Sequence, residues 1–185
     1  MLLIDSLLPH YQFVERHRIA VKAAPATVWR VLNGIEVKGS GLVRLAVDIR
    51  SAPVRGKLGG APGRSIFTLQ PGRTMFPRLA ENPPHELVLG MAGRFWRPKG
   101  GRVEMAPAEF AGFSAPGVAK LAFGFRLEPA GQGTLLSTET RVFCPDWASR
   151  LPFTAYWIAI RPISGLLRRQ ILAAVKAESE KSQIF

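Results

Sequence analysis

Glu15 and His17 stand two residues apart in Phe13-Val-Glu-Arg-His-Arg-Ile-Ala-Val-Lys22, a stretch that alternates with the period of a β-strand. That spacing points both side chains to one face, which is what an acid–base pair needs. A polar strand end touching water, or a histidine packed on Phe13, has the same spacing. Glu139 and Arg141 repeat the pattern in Thr134–Phe143, where Leu135, Ser137 and Phe143 share their side and Leu136, Thr138, Thr140 and Val142 share the other. Facing inward, the two charges are polar anchors in an apolar cavity. Facing outward, they are ordinary solvent-face charges, the less costly arrangement.

Other reactive residue types lack the neighbours their chemistry requires. Cys144 precedes Pro145 and Asp146 at a strand end, with no histidine nearby in sequence to activate a thiolate, and reads as a small buried apolar residue. Ser164-Gly165 is not a nucleophile elbow, which wants glycine on both sides of the serine. Gly56-Lys-Leu-Gly-Gly-Ala-Pro-Gly63 resembles a phosphate loop in composition but lacks the Gly-Lys-Ser/Thr ending. His10, His17 and His85 have no partners at metal-ligand spacing, so no metal and no cofactor are expected. His85 follows Pro83-Pro84 and reads as a turn residue.

Twenty-five Lys and Arg against thirteen Asp and Glu leave the chain at +12. Arg55, Lys57, Arg64, Arg73, Arg78, Arg94, Arg97, Lys99 and Arg102 crowd the middle and face only Glu81 and Glu86 there. The patch invites an anionic membrane surface as partner. Nucleic acid fits poorly, because the charges are scattered among Gly and Pro and no RNA- or DNA-binding signature accompanies them. With no run of about 18 apolar residues and a lone cysteine, the expectation is a cytoplasmic chain without a membrane span.

These residues must be positioned by a simple run of elements. The length suits a single domain over 1–185. After the strand at 13–22, Pro25 opens a short helix that ends near Asn33-Gly34. Strands are expected at Leu42–Ile49, Ser65–Leu69, Thr74–Leu79, Glu86–Trp96, Val118–Leu127 and Thr134–Phe143, with a turn at Asn82-Pro83-Pro84 and mostly loop over 98–117. From Ser149 to Lys181 the pattern is helical, interrupted by Pro162 and Gly165, where either one long helix kinks or two helices meet.

Ile19-Ala-Val-Lys-Ala-Ala-Pro-Ala-Thr-Val-Trp29 resembles the opening of the START-related superfamily (SRPBCC, polyketide cyclase-like), and Thr138-Glu-Thr-Arg141 resembles its late strand. Phe153-Thr-Ala-Tyr-Trp157, leading through Pro162 to Arg169, is similar to bacterial members. The resemblance spans nearly the whole chain and implies an α+β helix-grip fold, a curved antiparallel sheet of about six or seven strands wrapped around a long C-terminal helix.

It also implies a cavity between sheet and helix holding a hydrophobic or amphipathic small molecule such as a lipid, quinone or polyketide-like compound. A cyclase, dehydrase or hydrolase using the same cavity, and a peripheral membrane or partner-binding protein using the Arg-rich middle, are the alternatives. Met91, Phe95, Phe123, Phe125, Trp157 and Ile160 are the expected lining. Glu139 and Arg141 join them on the cavity side, because the resemblance is greatest around Thr138–Arg141.

Overall fold

The structure is a computed structural model that describes residues 1–37, 67–69, 76–97 and 101–182. A short helix α1 (Leu3–Leu7) precedes strand β1 (Phe13–Val21) and helix α2 (Pro25–Gly34). Strands β2 (Glu36–Val37), β3 (Phe67–Thr68), β4 (Arg78–Asn82), β5 (Glu86–Gly93) and β6 (Arg102–Val103) follow. The chain ends on the long strands β7 (Ala119–Ala130) and β8 (Gly133–Phe143) and the 35-residue helix α3 (Trp147–Lys181).

Among the described residues the main sheet has six strands and is antiparallel, in the order β1-β8-β7-β5-β4 with β6 paired to β5. β2 and β3 pair separately. The strand expected at Leu42–Ile49 lies outside the described residues, as do Ser65, Ile66, Thr74 and Met75 of two further expected strands, Gly56–Gly63, and Arg55, Lys57, Arg64, Arg73 and Lys99. The segment expected as a strand at 74–79 is described from Phe76 onward, and the strand itself starts later, at Arg78, and runs to Asn82.

α2 starts where Pro25 occupies the first helical turn, a position at which its missing N–H breaks no helical bond. Val28 and Leu32, four apart, are fully buried and face Ile171, Leu172 and Val175 of α3 across the core. α3 is capped by the Asp146 carboxylate, which accepts from the Ser149 backbone N–H at 2.7 Å. It starts two residues before the expected Ser149 and runs as one helix through Pro152 and Pro162.

Register decides which residues meet the helix. Phe125 pairs with Thr138, Phe123 with Thr140, and Thr138 and Thr140 pair in turn with His17 and Glu15. One face of the sheet therefore carries Leu87, Leu89, Phe123, Phe125, Leu127 and Leu136 against α2 and α3. The opposite face is also covered. There Ile4 and Leu8 pack with Val88, Ala122 and the fully buried Phe110, so the α1 segment, which periodicity alone does not reveal, forms a second apolar layer.

Candidate functional site

The helix-facing side of β1 and β8 bears polar groups in an otherwise apolar interior. His17 Nε2 lies 3.0 Å from Glu15 Oε1, and Glu15 is only 8% exposed. Beside them Thr140 Oγ1 accepts from Arg168 Nε at 2.9 Å. Arg168 Nη1 also donates to the Ser164 hydroxyl at 2.6 Å and to its carbonyl at 3.2 Å, a contact that the four-residue spacing on α3 makes natural. The guanidinium sits 4.7 Å above the Phe123 ring, a cation–π contact at the border between polar and apolar surface.

The hydrogen-bond partners of Arg168 among the described residues are thus neutral. Burial pulls its guanidinium below the ordinary arginine value, and the nearby Glu15 charge opposes that pull. Two further atoms, Glu15 Oε2 and Thr138 Oγ1, are buried without a hydrogen-bond partner among the described residues. Gly165 lets α3 approach this group, since a Cβ there would lie 2.7 Å from Glu15 Oε1 and 3.6 Å from the His17 ring. A groove of about 680 Å³ lined by Glu15, His17, Pro162, Gly165 and Leu166, with Arg161 and Arg169 at its rim, leads to the pair.

Of the expected site residues, Phe123 and Phe125 lie on the helix-facing side with ring centroids 4.7 Å apart, and Met91 shares that face opposite Leu121. Phe95 and Trp157 belong instead to an aromatic cluster around the buried Phe153, at 6.3 and 5.9 Å from its ring, together with Phe13, Trp96 and Tyr156. Ile160 is partly buried on α3.

Glu139 and Arg141 correct the expectation. Their register partners are Gly124 and Ala122, on the face turned away from α3. Arg141 is nevertheless 5% exposed, because α1 and the following turn cover it. It makes ion pairs of 2.7 Å with both Glu139 and Asp5, donates to the Leu8 carbonyl at 3.2 Å, and stacks 4.7 Å from the Tyr11 ring. Arg16 completes the group at 2.8 Å from Glu139. Burial alone would raise the Glu139 carboxyl, but Arg16 and Arg141 outweigh it and hold it below its ordinary value. These residues fasten the N-terminal segment to the sheet.

Other basic residues of the middle segment are likewise engaged in structure. Arg78 bonds Glu81 and Asn33, each at 2.6 Å, and Arg94 donates to the Gly117 carbonyl at 3.1 Å. Cys144 is buried, and burial pushes its thiol up to about 12. Among the described residues no group of three or more His, Cys, Asp or Glu could hold a metal ion, and no helix is long and apolar enough to cross a membrane.

A curved antiparallel sheet clasping one long C-terminal helix, with β1 at its edge and α2 closing the core, settles the architecture. The fold is a helix grip. No protein family model and no curated protein matches the chain. Among solved structures, the helix grip is similar to that of Ara h 8.0201, with a TM-score of 0.35 at 10% identity over 90% of this chain and 97% of that one. CalU16 from Micromonospora echinospora gives 0.32 at 15% identity over 92% and 96%. The Zhui aromatase/cyclase from Streptomyces sp. R1128 gives 0.33 at 15% identity over 93% and 95%.

The polar cluster inside this helix grip was half legible beforehand. Glu15 and His17 declare themselves by spacing; Arg168 does not. Its signal was Gly165, a residue that costs about 1 kcal/mol inside a helix and so marks a place where something must come close.

Proposed function

We propose that the protein binds an amphipathic small molecule between sheet and α3. Its polar end sits among Glu15, His17, Thr138 and Arg168, and its apolar part lies along the Phe123 and Phe125 face. The observation that carries this reading is the pair of buried atoms, Glu15 Oε2 and Thr138 Oγ1, that have no hydrogen-bond partner among the described residues, beside a cation whose described hydrogen-bond partners are neutral. Buried polar groups cost free energy until something satisfies them, and a head group carrying both an acceptor for Arg168 and a donor for Glu15 would do so.

The test is a titration with a fluorescent long-chain amide and with the matching hydrocarbon. Saturable one-to-one binding with the amide favoured is expected. Arg168→Gln and Glu15→Gln should each remove most of that preference, on the order of tenfold for a hydrogen bond to a charged group. Absence of saturable binding of either probe, or a preference untouched by both substitutions, would overturn the reading.

A second reading, catalysis by proton transfer through the Glu15–His17 pair, is favoured by their 3.0 Å separation. It predicts that Glu15→Gln retains binding of a competent substrate while its conversion ceases. Conversion at the wild-type rate by this variant would exclude it.

A further inference from the structure

The first half of α3 carries a surface that the polar cluster does not use. Among the described residues four large apolar side chains stand strongly exposed, and three of them, Trp147, Leu151 and Ile158, are on this helix at 76%, 71% and 70%. Separations of four and seven residues correspond to about one and two helical turns, so the three form a single stripe. Phe153, between them in sequence, points the other way into the aromatic cluster and is 1% exposed.

The charge along the stripe is basic except for the capping carboxylate of Asp146 at its start. From Trp147 to Ala177 the chain contains no acidic residue, while Arg150, Arg161 and Arg169 are exposed on the same helix. The Arg150 guanidinium lies 5.3 Å from the Trp147 ring, which places a cation directly at the apolar edge.

We propose that this face of α3 docks on an anionic lipid bilayer. Tryptophan suits the boundary between head groups and acyl chains, leucine and isoleucine suit the layer just beneath, and arginines at the stripe's margin suit lipid phosphates. A net charge of +12 attracts the whole molecule to such a surface. A second copy of the chain fits less well, since pairing the stripes would bring two sets of Arg150, Arg161 and Arg169 together. The proposal does not depend on what the interior binds.

Flotation of the full chain with vesicles of phosphatidylcholine, alone or mixed with phosphatidylglycerol, tests this at low and high salt. Binding to the mixed vesicles alone is expected, weakened by salt. Trp147→Glu with Ile158→Glu, and separately Arg150→Glu, should reduce the bound fraction roughly tenfold or more, with thermal melting unchanged because these side chains are exposed. Arg18→Glu, an exposed charge on the other side of the sheet, should bind as the wild type does.

If the glutamate variants fold poorly, brominated lipid supplies an independent measurement. It should quench the tryptophan fluorescence of the wild type more than that of Trp147→Phe. The proposal is overturned by equal binding to both vesicle types, by no binding, or by loss of binding in Arg18→Glu with none in the helix variants. Self-association through the stripe without vesicle uptake, seen by sedimentation, would also overturn it.

Discussion

Gly165 and Glu15 touch so closely that a Cβ on the glycine would lie 2.7 Å from the Glu15 carboxylate. Strand and helix approach here because residue 165 has no side chain. The carboxylate is the end of a movable side chain, so Gly165→Ala should displace it rather than unfold the helix. The gain in helix propensity, about 1 kcal/mol, offsets part of the displacement. We expect a melting temperature near that of the wild type, a shifted His17 ring signal by NMR and weakened amide-probe binding. Unchanged NMR signals and binding would show that the contact does not position the pair.

Arg141 should behave as a structural residue. Arg141→Leu removes the partner of Asp5 and the donor to the Leu8 carbonyl, and leaves Glu139 with Arg16 alone. Denaturant unfolding should show a loss of about 2–3 kcal/mol, below the full cost of breaking a buried pair because Asp5 is more than a third exposed. Probe binding should be unchanged; a loss of binding at retained stability would return Arg141 to the ligand site.

The same group makes stability depend on acid. Asp5 is held below its ordinary value chiefly by its hydrogen bond to Arg141, and Glu139 is held low by Arg16 and Arg141 against the opposing effect of burial. Carboxyls with lowered folded-state values contribute stability that is fully present above the unfolded value of about 4 and is lost as pH falls through the folded value. Melting temperature should therefore hold from neutral pH to about 5 and then fall. The difference between wild type and Asp5→Asn should shrink over that same acidic range.

The face of β8 illustrates what alternation can and cannot reveal. Strand phase in β7 was legible, because Leu121, Phe123, Phe125 and Leu127 are all on one side. The side taken by Glu139 and Arg141 was not, since both faces of this sheet are covered: α3 packs on one, and Ile4, Leu8 and Phe110 pack on the other. Counting apolar residues discriminates only when one face meets water. Arg168 was hidden for a different reason. Arg168 and Arg169 are adjacent, and which of them turns inward depends on the helix phase beyond Pro162.

Cys144 should be inert in the native state. Its thiol is buried and pushed up to about 12, so almost no thiolate exists near neutral pH. Iodoacetamide at pH 8 should label the unfolded chain fully and the folded chain negligibly, as read by intact mass. Fast labelling of folded protein would contradict this burial.

The most direct test of the central claim is native mass spectrometry of wild-type protein and Arg168→Gln, each purified without detergent. The account predicts a noncovalent adduct of one small amphipathic molecule per wild-type chain, lost or strongly reduced in the variant. Bare chain mass in both preparations, with no saturable uptake of added amphiphiles, would contradict it.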